Sequence, residues 1–225
     1  MKWNKQYNYP PCVRSTTDGL RTYDIGNEKL PSVTTILSAT QSPEKMESIK
    51  RWKERVGEEQ ATRVKNEAAS RGTNMHKHLE KYILGEGHAD LTEEGKLAKK
   101  MSDTIIEEGL KDMSEIWGSE VTLHYPKLYA GQTDLVGTYD YEDSIVDFKQ
   151  SNKLKRREWI DDYFMQLGAY AMAHNQVYKS EITQGVVLMC TPDMQFQKFQ
   201  VKGQEFINYQ HKFLAKVDQY YKIKG

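Results

Sequence analysis

A change of period near residue 118 constrains this chain more than any other feature. N-terminal to it, apolar residues recur at helical spacing, and Ile105, Ile106, Leu110 and Met113 close a predicted helix over Leu91–Trp117. C-terminal to it, Glu120–Tyr125 alternates, so Glu120, Thr122 and His124 share one face of a strand. Two more strands are expected over Leu128–Tyr139 and Ile145–Lys149, joined by a turn at Asp140–Ser144. An amphipathic helix then spans Trp159–His174, followed by an apolar strand Thr183–Cys190, a shorter partner Phe196–Val201 and a closing helix Glu205–Lys222. This order predicts an α/β fold, a central mixed β-sheet flanked by helices, with a helical N-terminal elaboration.

Within that elaboration, Val13–Ile25 reads as a hairpin turning at Asp18-Gly19. Pro43–Val56 reads as a helix with Pro43 at its first position after Ser42. Glu58–Leu84 reads as a longer helix, interrupted or bent near Arg71-Gly72 and ended by Gly85-Glu86-Gly87. No Pro/Gly/Ser-rich linker divides the 225 residues, which predicts a single domain over 1–225, with 1–117 as the elaboration and 118–225 as the core. No apolar run approaches the roughly 20 residues that span a bilayer. The N-terminus also lacks the apolar core of a signal peptide. A soluble, cytoplasmic protein with no membrane partner is expected. Cys12 and Cys190 stand alone, which excludes a four-thiolate zinc or iron–sulfur site and suits inert packing residues.

Formal charge is zero, from 32 basic and 32 acidic residues, which argues against a protein that coats nucleic acid non-specifically. Local charge is another matter. Lys45, Lys50, Arg51, Lys53 and Arg55 form one basic cluster, and Lys149, Lys153, Lys155, Arg156 and Arg157 another. Arg51, Lys53 and Arg55 offer phosphate contacts around Trp52, whose indole suits either stacking on a base or core packing.

The chemistry concentrates in three short motifs: Gly131-Gln132-Thr133-Asp134, Asp147-Phe148-Lys149 and Gln166…Tyr170. Asp147 and Lys149, two apart on a strand, point to one face, while Phe148 points to the core and leaves its carbonyl free at a strand end. Asp134 belongs to the neighbouring strand, after a glycine that permits close backbone approach. Two carboxylates can hold a divalent cation, and a lysine beside them can handle an attacking water or the charge on a phosphate. Gln166 and Tyr170 share a helical face, where an amide can hydrogen-bond a water or a phosphate oxygen. Glu120, one strand from Asp134, offers a further carboxylate. His76, His78 and His124 each suit a structural role when taken alone.

Taken in order, G-x-x-D, D-F-K and Q-x-x-x-Y, with the upstream R-G-x-x-x-H of Arg71-Gly72…His76, resemble the RecB-like branch of the PD-(D/E)xK nuclease superfamily. Leu30-Pro31-Ser32-Val33-Thr34-Thr35-Ile36-Leu37, Arg51-Trp52-Lys53 and Arg71…His76…Leu79-Glu80 resemble the mitochondrial genome maintenance exonucleases and their phage-encoded relatives. The resemblance runs from Leu30 to Tyr170. It implies His76, Asp134, Asp147 and the Phe148 carbonyl as metal ligands, Glu120 as an assisting carboxylate, Lys149 as the catalytic lysine, and Gln166 and Tyr170 as supporting residues. Arg71, Lys153 and Arg156 complete the expected DNA-binding set with Arg51, Trp52 and Arg55. The implied activity is hydrolysis of single-stranded DNA, or DNA with free ends, by an exonuclease using one or two Mg²⁺ ions, with Mn²⁺ as substitute. A structure-specific endonuclease and a non-catalytic DNA-end-binding module remain the alternatives. The four cysteines of relatives with an iron–sulfur staple are absent, and so is any helicase motif. Unwinding would therefore fall to a separate replication or recombination protein.

Overall fold

The predicted meander forms the centre of the molecule. In the computed structural model, which describes residues 1–225, a six-stranded sheet runs in the order β1 (Lys2–Trp3), β5 (Met113–Tyr125), β6 (Tyr129–Tyr139), β7 (Glu142–Gln150), β8 (Gln184–Cys190), β9 (Phe196–Lys202). β5, β6 and β7 pair antiparallel, while β7 and β8 pair parallel. A parallel pair needs a crossover, and α5 (Asp161–Tyr178) supplies it. A separate antiparallel sheet contains β2 (Val13–Thr17), β3 (Leu20–Ile25) and β4 (Glu28–Pro31).

Both faces of the large sheet are covered, so the fold is α/β with a mixed sheet between helical layers. Val146 and Phe148 pack with Met75 and Leu79 of α3 (Glu58–Ile83) and Met101 and Ile105 of α4 (Glu93–Glu108). Ile145 and Val187 pack on the other face with α1 (Val33–Ala39), α5 and α6 (Gly203–Lys224). Strand alternation therefore puts Asp147 and Lys149 on the α5 face, in line with Ile145. No helix is long and apolar enough to cross a membrane.

Four sequence expectations need correction. The helix predicted to reach Trp117 stops at Glu108, and Met113–Trp117 already belong to β5. Gly109 marks the stop, where a Cβ would meet Ile105 O and Leu188 Cδ1, each at 2.9 Å. Met113, Ile116 and Trp117 are buried in either reading, so periodicity alone misleads there. Secondly, the turn after β6 is only Asp140-Tyr141, both left-handed at φ 49° and 66°, and β7 starts at Glu142. Thirdly, α3 runs unbroken through Arg71-Gly72 for 26 residues. Gly72 serves as a flat spot instead: a Cβ there would lie 3.4 Å from Gln150 Cγ, where α3 crosses the end of β7. Finally, α5 is buried nearly all round, between the sheet and α6, rather than amphipathic. It starts at Asp161, after a 3₁₀ turn over Arg157–Trp159. The helix Pro43–Val56, α2, does begin with Ser42 as its N-cap and buries no residue.

α6 closes the α5 face through Phe213, fully buried with its ring edge-on to Tyr129 at 4.9 Å between centroids. Phe213→Ala is expected to lower unfolding stability by about 3–5 kcal/mol, the usual loss for emptying an aromatic site. Urea denaturation followed by tryptophan fluorescence measures this. A loss below ~1 kcal/mol would show that α6 is not part of the cooperative core.

Candidate functional site

Strand register assembles the site. Ser119↔Leu135 and Val121↔Thr133 bracket Glu120 against Asp134 on β5–β6. On β6–β7 the ladder ends at Leu135↔Val146, so the next step sets Asp134 against Asp147. Both aspartates are buried. Asp134 Oδ2 accepts the Phe148 N–H at 2.6 Å, which replaces the ladder bond missing at that point. The N–H and C=O of a strand residue leave on the same side, so the Phe148 carbonyl also emerges beyond the end of the ladder. Its side chain turns into the core against α3, as the alternation predicts.

Two helices complete the cluster. α3 carries His76, whose Nδ1 lies 3.2 Å from Asp134 Oδ1. α5 carries Gln166 and Tyr170, which share a hydrogen bond of 3.1 Å from the amide to the hydroxyl oxygen. Gly131 is required by this packing: a Cβ would meet Tyr170 Cε1 at 2.5 Å. Lys149 ion-pairs with Asp147, and its Nζ lies 5.1 Å from the centroid of the Tyr163 ring. Glu120 adopts φ 53°, a left-handed conformation that a glutamate occupies only under constraint. Gln132 holds its carboxylate with a 2.5 Å hydrogen bond.

The electrostatics follow from burial and proximity. Burial works against a charged His76, yet Asp134 beside it raises the imidazole pKa to about 9. Burial likewise opposes the charged form of Asp134, but His76, with Lys149 and the Phe148 amide, outweighs it and holds the carboxyl below its ordinary range. Burial pushes Asp147 up despite Lys149. Burial and the Asp134 charge push Glu120 to about 7. Burial favours a neutral Lys149, and Asp147 overcomes it, so the ammonium is retained.

One ligand atom each from His76, Glu120 and Asp134 lies within 4.8 Å of the others, a spacing suited to one divalent cation. Asp147 lines the same cleft, with its buried Oδ2 ion-paired to the Lys149 ammonium. Two or three carboxylates, one imidazole and a free carbonyl form a hard, mostly oxygen donor set, and the residues present therefore fit a Mg²⁺- or Mn²⁺-type ion.

His76, Glu120, Asp134, Asp147, Lys149, Gln166 and Tyr170 all line one cleft of about 610 Å³. The expected DNA-binding residues lie beside it. Trp52, Arg55 and Lys153 line an adjoining cavity of about 590 Å³ with Tyr163, and Arg51 and Trp52 face Lys155 and Trp159 in a third. The two basic clusters thus border the same groove. Two of the expected residues have partners of their own. The Arg71 guanidinium donates to Gln150 Oε1 at 3.2 Å and Asn152 Oδ1 at 2.7 Å, so it fixes the loop after β7. Arg156 lies over the Trp159 ring at 5.3 Å, and Lys155 lines the groove beside that ring. Arg14, Arg21 and Thr34 also line the central cleft and were not anticipated, because nothing in a hairpin's sequence says which distant strand it will pack beside.

No known family's model matches the sequence. The chain is 27% identical over 212 residues to mitochondrial genome maintenance exonuclease 1 of Xenopus tropicalis, covering 89% of this chain and 60% of that protein. It is 27% identical over 174 residues to the Homo sapiens protein of the same name, covering 73% of this chain and 50% of that one. The chain thus spans between half and three-fifths of the length of these relatives. A solved structure described as a candidate exonuclease from Eubacterium rectale aligns with a TM-score of 0.48 at 15% identity, over 66% of this chain and 64% of that one.

Two predictions follow from the charges. Glu120 in the fold holds its proton from its ordinary 4.5 up to about 7, and His76 from 6.5 up to about 9. In both windows the folded state binds more protons than the unfolded chain, so stability of the metal-free protein should fall as pH rises through them. Melting temperatures between pH 5 and pH 9 in excess EDTA check this, and a rise across that range would refute the assigned charge states. Separately, Glu120→Gly should raise stability by about 1 kcal/mol, since glycine tolerates the left-handed backbone. Loss of stability would mean the Gln132 contact outweighs the strain.

Proposed function

We propose that this chain is a metal-dependent deoxyribonuclease, an exonuclease acting on single-stranded DNA or free ends. The observation that carries the reading is the His76–Glu120–Asp134 group set beside the ion-paired Asp147 and Lys149 in one cleft. The names of the similar proteins support the exonuclease assignment. His76, Asp134, Asp147 and the Phe148 carbonyl would hold Mg²⁺, or Mn²⁺ in its place, with Glu120 assisting. The bound ion supplies Lewis-acid polarisation of the scissile phosphate and eases deprotonation of the attacking water.

The chain's own residues do the rest. Lys149, kept as an ammonium, is suited to stabilise charge developing on the phosphate rather than to act as a base. Gln166, braced by Tyr170, points an amide into the cleft and can orient a water or a phosphate oxygen. Glu120, poised near neutrality, can accept a proton from the attacking water. Arg55, Trp52 and Lys153 border the adjoining groove, where a single strand can place phosphates on the cations and a base on the indole.

Lys149→Ala should abolish turnover while leaving the fold and oligonucleotide binding near those of the parent. Cleavage of an end-labelled linear strand and of a closed circular strand, with and without Mg²⁺, reads the activity. The parent should cut only the linear one; cutting of both would indicate an endonuclease, and cutting of neither a binding module. Robust cleavage by Lys149→Ala would remove that residue from the chemistry. His76→Ala should weaken Mn²⁺ binding by about 10–100-fold, as expected when a metal site is disturbed. A Mn²⁺ titration followed by calorimetry tests this, and an unchanged isotherm would leave His76 a structural partner of Asp134 only.

A further inference from the structure

The hairpin β2–β3 puts two arginines on the central cleft, well separated in sequence from every catalytic motif. Arg14 and Arg21 both line the cleft that contains His76 and Lys149. Cross-strand pairing Arg14↔Tyr23 and Thr16↔Arg21 places the two arginines on one face of the hairpin as diagonal neighbours. Both are exposed, so their charge is available to a ligand. The arginine ion pairs of this chain involve Arg51, Arg63, Arg156 and Arg157, which leaves Arg14 and Arg21 without a carboxylate partner.

The surroundings hold this pair in place. Tyr23 is buried with Leu30 against Ala130, the neighbour of Gly131 on β6. Its hydroxyl lies beside both guanidiniums, whose charges oppose the upward push of burial on its pKa. The backbone of Arg21 is fixed as well. Its N–H donates to Thr35 Oγ1 at 3.0 Å, and its carbonyl accepts from the Thr35 hydroxyl at 3.1 Å and from Ser32 N–H at 2.9 Å. A fork of two guanidiniums on an anchored sheet, facing a carboxylate-rich cleft yet paired with none of its acids, suits an oxyanion that arrives with the substrate.

We propose that Arg14 and Arg21, spaced by Tyr23, form a phosphate-binding subsite on the hairpin flank of the cleft, separate from the α2 flank. A strand would then be gripped on both sides of the scissile bond. The inference rests on the nuclease reading above, and the phosphate can be internal or terminal.

The test compares the parent chain with Arg14→Ala/Arg21→Ala and with Arg14→Lys/Arg21→Lys, using short single-stranded oligonucleotides bearing a 5′-phosphate or a 5′-hydroxyl. Removing two single-strand phosphate contacts should flatten the log–log salt dependence of binding by about 1.4, at ~0.7 per contact. KM should rise about 10-fold or more with kcat nearly unchanged, the mark of lost uniform binding. The lysine pair should retain most of the salt slope while losing part of the affinity. A deficit on both oligonucleotides assigns an internal phosphate, and one confined to the 5′-phosphorylated strand assigns the terminus. An unchanged slope and KM in the alanine pair would overturn the subsite. So would an equal loss in both double variants accompanied by a lowered melting temperature, which would mark the arginines as structural. A parent that neither binds nor cuts either oligonucleotide would instead overturn the nuclease reading itself.

Discussion

Pairing β6 with β7 in this register sets Asp134 against Asp147, and covering both sheet faces with helices removes water from the space they share. Two adjacent carboxylates in such a place repel one another and lose solvation, so neighbouring elements must supply positive charge or hydrogen-bond donors. Lys149 answers from the same strand, His76 from α3, and the Phe148 amide from the backbone. The position of α3 across the end of β7 and the close fit of Tyr170 on Gly131 both serve this cluster.

The compensation is uneven in an informative way. Asp134 has two partners, His76 and the Phe148 amide, and stays charged, whereas Asp147 leans on Lys149 and burial still pushes its carboxyl up. Glu120 is placed by a strained backbone at the edge of the same group and sits near neutral pKa. A strained backbone and adjoining carboxylates in one small volume suit a cation, whose binding would relieve the repulsion between them.

Around that centre the chain distributes cations by flank rather than uniformly, which reconciles zero net charge with the proposed polyanionic substrate. α2 has no buried residue, so its cohesion with the body comes from the Lys45–Asp162 ion pair and from Trp52, half-buried over the groove. An exposed basic helix borders the adjoining groove, and an anchored hairpin borders the central cleft, whose floor is acidic. Local placement, not overall charge, is what a phosphate backbone meets.

The sequence by itself determined the meander, the shared face of Asp147 and Lys149, the inward turn of Phe148 and the start of α2 at Ser42, because period, side-chain alternation and capping are local properties. It also marked Gly131 as a place of close approach, which Tyr170 fills, and Gly72 as a break in a helix that in fact runs through it against Gln150. Where local signals were degenerate it misled: Met113–Trp117 is apolar enough for either period, and α5 is wrapped on all sides rather than half-exposed. Only the tertiary structure brought Arg71 onto Gln150 at the end of β7 and Asn152 in the loop after it, set Lys155 and Trp159 on one groove with Trp52, and drew His76, Glu120 and Asp134 within 4.8 Å of one another. The same holds for the arrival of Arg14 and Arg21 at the cleft. Each of these depends on contacts between residues tens of positions apart, and their distances and charges are set by how the layers pack, which no short window of sequence contains.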